Sequence, residues 1–97
     1  MGLNKRVEIY RIAVDAAGDP DIVQLPNSEV TFRKVTASIE SALQSWTLYA
    51  PNIDSPSKTF SPGQEYVFQN GPFQGGDVFG YVELASGSDY LILVCER

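Results

Sequence analysis

The chain has 97 residues, of which 43% are hydrophobic and 11% aromatic, and it carries a net charge of −5 with no histidine. That length holds one domain around one core. The missing imidazole excludes Ser-His-Asp and Cys-His catalysis and every histidine-bearing zinc site, and the single cysteine excludes an intramolecular disulfide and a four-cysteine metal cluster.

Seven Lys and Arg stand against twelve Asp and Glu, and the only adjacent cations are Lys5-Arg6 and Arg33-Lys34. Phosphate backbones need clustered cations, so no nucleic-acid partner is expected. Residues 1–6 read as a short, flexible polar arm, and residues 7–97 as a single β domain. The first residues lack the apolar core of a signal peptide, and no run reaches membrane-spanning length. Synthesis in the cytoplasm without a signal peptide is expected, with no membrane partner.

Val7 to Val14 is rich in β-formers. Val7 and Ile9 lie on one phase and Tyr10, Ile12 and Val14 on the other, which predicts a bulge near Tyr10 or a strand that moves between two contexts. Asp15 to Asp21 is a turn by composition. Its Asp15, Asp19 and Asp21 do not have the spacing of a calcium loop, because the order is Asp-x-x-x-Asp-Pro-Asp and Gly18 precedes the acidic pair. Ile22 to Leu25 is a short strand, and Val30 to Ile39 alternates with a phase slip at Lys34-Val35.

Ser38 to Trp46 is ambiguous. Ile39, Ala42, Leu43 and Trp46 make a helical stripe, yet three serines and flanking β-formers favour two strands joined near Glu40-Ser41. Leu43 to Ala50 then reads as a strand with Trp46 and Leu48 on one face. Pro51 to Ser57 is a loop, and Lys58 to Phe60 a short edge strand. Ser61-Pro62-Gly63-Gln64 has the residues of a type II turn. Glu65 to Gln69 places Tyr66 and Phe68 inward.

The last third reads as a broken loop from Asn70 to Gly76 and then a hairpin. Its arms are Asp77–Ala85 and Asp89–Glu96, closed by Ser86-Gly87-Ser88. Val78, Val82 and Leu84 share one face of the first arm, and Gly80 marks a close approach by another backbone or ring. In the second arm, Tyr90 to Cys95 is apolar throughout, and such a run wants cover on both faces. Cys95 reads as a small buried hydrophobe. About seven or eight short strands result, so the fold class is all-β, a small antiparallel β-sandwich or barrel of jelly-roll-like form.

No residue set specifies catalysis, a cofactor or a metal. Gly71 to Gly76 lacks the Lys-Ser/Thr of a phosphate loop and is followed by Asp77. Trp46, Tyr49, Tyr66, Phe73 and Tyr81 could offer sugar-stacking rings, although strand aromatics more often fill a core. Phe73, between Pro72 and Gln74 in the loop, is the residue expected to anchor a partner.

From Thr31 onward the signals run in a set order. Phe32-Arg33-Lys34-Val35 comes first, then a strand ending Trp-Thr-Leu-Tyr, a Pro/Ser loop and Phe-Ser-Pro-Gly-Gln. A Phe-bearing Gly loop and a Ser-Gly-Ser turn follow. This order resembles the small all-β accessory proteins of tailed-phage virions, the capsid cement and decoration proteins. The resemblance implies a homo-oligomer on a capsid surface with an arm reaching over its neighbours. The expectation is therefore a non-enzymatic structural protein of a virion, binding itself and a larger protein assembly through Lys5, Arg6 and Phe73. A carbohydrate-binding module using Trp46 or Tyr49 is the alternative.

Overall fold

The computed structural model describes residues 7–15, 20–41, 43–50, 56–68 and 72–97, and every regular element among them is a strand. The elements are β1 (Val7–Val14), β2 (Asp21–Gln24), β3 (Thr31–Phe32), β4 (Lys34–Ile39), β5 (Trp46–Tyr49), β6 (Ser57–Phe60), β7 (Tyr66–Phe68), β8 (Phe73–Gln74), β9 (Val78–Leu84) and β10 (Asp89–Glu96). The all-β expectation holds.

The strands pair as one nested hairpin. First pairs with last, β1 with β10, and the pattern continues inward through β2 with β9, β3 with β8 and β4 with β7 to β5 with β6 at the tip, all antiparallel. Two further pairings, β10 with β4 and β9 with β5, roll this hairpin up. Two four-stranded sheets result, sheet I in the order β1-β10-β4-β7 and sheet II in the order β2-β9-β5-β6, with β3-β8 as a separate ribbon. This connectivity is that of a jelly roll.

The core lies between the sheets. Sheet I contributes Val14, Val35, Ala37, Ile39, Leu91, Leu93 and Cys95, sheet II contributes Val23, Trp46, Leu48, Phe60, Phe79, Val82 and Leu84, and Phe32 enters from the ribbon. Each fully buried Val, Leu or Phe stabilises the fold by about 1.5–3 kcal/mol. No polar side chain is buried among the described residues.

Several local expectations are met. The chain turns at Glu40-Ser41 between β4 and β5, and Lys58–Phe60 falls within the edge strand β6. The Gln64 amide donates to the Ser61 carbonyl at 3.0 Å, with Gly63 at φ 80°, as a type II turn requires. A Cβ on Gly80 would lie 2.7 Å from the Tyr49 carbonyl oxygen and 3.0 Å from Leu48 Cδ1. The glycine is there because β5 runs against it.

Other expectations are overturned. The arms Asp77–Ala85 and Asp89–Glu96 do not form a hairpin, since β9 lies in sheet II and β10 in sheet I. Val82 and Leu84 must face Leu91 and Leu93 across the core, whereas a hairpin would set both groups in one sheet. The connection is instead tied to the β4–β5 turn: the Ser86 amide donates to Gln44 Oε1 at 2.9 Å, and the Glu40 amide to the Tyr90 carbonyl at 2.9 Å.

The bulge predicted near Tyr10 is absent, for β1 keeps unbroken register with β10 from Val7 to Val14. Val7 and Ile9 simply point outward. The slip predicted at Lys34-Val35 is a break at Arg33, where the chain leaves the ribbon for sheet I. Val78 does not share a face with Val82 and Leu84. The register shift between Val23 and Gln24 pairs them with Gly80 and Val78, and the skipped Phe79 turns into the core.

Gly80→Ala is expected to destabilise the domain by about 1–3 kcal/mol, the usual cost of overpacking. Urea denaturation measures this directly, and an unchanged midpoint would contradict the contact between β5 and β9.

Candidate functional site

Lys5 and Arg6 lie outside the described residues, as does Asp19. Phe73 is not on a loop tip. It forms β8 with Gln74, opposite Phe32, and is half-buried against the core. The Gln74 amide secures this ribbon by donating to the carbonyls of Ser28 at 3.0 Å and Val30 at 3.2 Å.

The aromatic side chains form a chain of contacts through the interior. Trp46 stacks on Phe60 at 4.4 Å between centroids, Phe60 meets Tyr66 at 5.1 Å, and Tyr66 meets Phe68 at 4.0 Å. Phe68 then makes edge contacts with Phe79 at 4.6 Å and Phe73 at 6.2 Å. At this end lies a cavity of about 340 Å³, lined by Leu25, Phe68, Phe73, Asp77, Val78 and Phe79 among others.

Trp46 is 1% exposed and its indole Nε1 donates to the Gln64 carbonyl, so it offers no sugar platform. Tyr49 and Tyr81 are register partners in sheet II and half-exposed. The Tyr49 hydroxyl donates to Glu83 Oε1 at 2.9 Å, and that bond to the carboxylate pushes its pKa up.

The larger feature is the outer face of sheet I. Alternation puts Val7, Ile9, Arg11 and Ala13 of β1 on this face, beside Tyr90, Ile92 and Val94 of β10 and Thr36 and Ser38 of β4. Val67 of β7 follows across from Thr36. Ile9 is 68% exposed and Val7 46%, with Tyr90 and Val67 also exposed. The apolar run of β10 is thus covered on one face only, by the core around Leu91, Leu93 and Cys95. Its other face is open among the described residues.

Charges on this face are paired. Arg11 donates to both carboxylate oxygens of Glu40, at 2.6 and 2.8 Å, with its guanidinium 3.5 Å from the Tyr90 ring centroid. This bidentate bond raises the Arg11 pKa and lowers that of Glu40. Lys34 lies 3.4 Å from Glu96. At the sheet's end Glu8 accepts from Tyr10, Arg97 and Asn27, which holds its carboxyl below the usual range.

Cys95 is fully enclosed, and burial, with a smaller effect from Glu8, pushes its thiol up to about 11. It is an inert packing group. Asp89, at the start of β10, is pushed up by burial, but bonds from Ser41, the Tyr90 amide and Gln44 prevail and hold its carboxyl low. Among the described residues no three Cys, Asp or Glu gather as a metal site, and no helix is long and apolar enough to cross a membrane.

Sequence reasoning named Phe73 but missed the sheet I face. Its two signals were the phase change at Tyr10 and the unbroken apolar run of β10. Comparison with protein families, characterised proteins and solved structures finds no match to this chain.

Because Phe73 packs against Phe68, Phe73→Ala is expected to destabilise the fold by about 2 kcal/mol, below the 3–5 kcal/mol of a fully buried ring. Thermal melting checks this. Because Asp89 has a depressed folded pKa, its contribution is present above the unfolded pKa and lost as pH falls through the folded one. Asp89→Asn should therefore flatten the fall in stability between about pH 5 and pH 2, as read by denaturation at each pH.

Proposed function

We propose that the chain is a non-catalytic structural protein that binds a larger protein assembly through the outer face of sheet I. In its specific form it is a virion accessory protein of the capsid cement or decoration type. One observation carries the reading: Val7, Ile9, Tyr90, Ile92 and Val94 form an apolar surface on the adjacent strands β1 and β10 that the described chain leaves open, with Val67 beyond Thr36 of β4. Contiguous apolar surface of this kind marks interaction sites on soluble domains. The Arg11–Glu40 and Lys34–Glu96 pairs leave the face with no net charge, which suits a flat protein contact.

The jelly-roll connectivity adds support by analogy, since it recurs in viral capsid domains and in lectins. The lectin analogy favours a second reading, a carbohydrate-binding module on the outer face of sheet II. It draws on Tyr49 and Tyr81 beside Glu83 and requires glycan binding that Tyr49→Ala abolishes.

For the lead reading, particles purified from the native source should contain the chain by mass spectrometry. Val94→Glu protein should fail to rebind stripped particles while melting within about 5 °C of the parent, a shift equal to roughly 1 kcal/mol in a domain this size. Particles without the chain would remove the virion assignment.

A further inference from the structure

We propose that β1 is a docking edge for a second copy of this chain. Two copies pair β1 to β1 antiparallel and join their sheets I into one eight-stranded sheet. This extends the assembly reading by naming one partner, and it is testable apart from that reading.

Open sheet edges attract foreign strands, and natural proteins shorten, bulge or charge them. Of the four edge strands of sheets I and II, three are protected in this way. β2 has four residues and a register shift at Val23/Gln24. β6 has four, with Lys58 among them. β7 has three.

β1 is different. It has eight residues in unbroken register with β10 and contains no Pro, Gly or Lys, and its two charges, Glu8 and Arg11, are each held by a partner, Arg97 and Glu40. Among the described residues no backbone group outside β10 bonds to its backbone. Its inward residues Glu8, Tyr10 and Ile12 reach only half-burial, as residues do where the next strand is missing.

Symmetry narrows the register. Antiparallel copies in one sheet are related by a two-fold axis normal to it, so outward residues meet outward residues. Axes on Tyr10 and on Arg11 both pair seven residues of β1. The Arg11 axis sets two guanidinium groups side by side, which is unfavourable. The Tyr10 axis sets Ile9 beside Arg11 of the second copy and Val7 beside its Ala13. It also merges the two outer apolar faces. A second copy fits better than a foreign strand because this register pairs every outward group of β1 with a compatible one.

The test is sedimentation velocity on the full chain across a dilution series. The parent should dimerise reversibly, and added salt should tighten the dimer by screening two charges of −5. Ile9→Lys places a cation beside Arg11 of the second copy, twice per dimer, and should weaken dimerisation about tenfold or more. Ile9→Glu places a carboxylate there and should leave the dimer at least as tight, although it adds negative charge. Tyr10→Cys should form an intermolecular disulfide on mild oxidation, since strand neighbours on the axis lie within disulfide reach.

A parent that stays monomeric at millimolar concentration overturns the proposal. So does a dimer that Ile9→Lys leaves intact, or one that both charges abolish equally, which would mean face-to-face packing. A dimer that follows the predicted order supports the pairing even if no particle binds it, and that result would count against the assembly reading alone.

Discussion

Everything in this domain depends on β1 finding β10. These two strands stand at opposite ends of the described chain and form the outermost rung of a nested hairpin. The other rungs bring the halves together in order, and β10 lies inside sheet I, held on both sides by β1 and by β4. Leu91, Leu93 and Cys95 then become the floor of the core onto which sheet II closes. Pairings between distant segments carry a large loop-closure cost before they are rewarded, so such a topology folds slowly. Local turn chemistry limits the search, as at Ser61-Pro62-Gly63-Gln64.

The same strand links the fold to the proposed contact surface. Its apolar run satisfies the core with alternate residues and leaves Tyr90, Ile92 and Val94 facing outward. Arg11 partly screens Tyr90 by lying over the ring while gripping Glu40. The remaining apolar surface has no counterpart within the described chain. Activity drawn from this surface would be contact, with shape and burial supplying the affinity. Jelly rolls host many functions, so the surface and not the connectivity carries the argument.

Much of the fold was legible in the sequence because turn residues act locally. Pro62-Gly63 needs only its own backbone preferences, and Glu40-Ser41 follows from serines and β-formers that disfavour a helix. Gly80 was legible as a close approach, though not which backbone approached. The aromatic candidates were less legible. Trp46 and Phe73 have the same composition signal whether they stack on a ligand or on Phe60 and Phe68, and only their neighbours decide. The expected bulge at Tyr10 failed for a related reason, since an exposed Ile9 has the same sequence signature as an inward one on a slipped strand.

By itself, the sequence determined that the chain is all-β, where most strands begin and end, and that histidine-dependent chemistry is excluded. These properties rest on alternation, turn residues and composition, all of which act over a few residues. Tertiary structure decided which strands pair. It sent β9 and β10 to opposite sheets, turned Phe79 inward, drew Phe73 into the core margin and left the outer face of sheet I open. Pairing is settled by burial summed over distant segments, and no local stretch of sequence contains that sum.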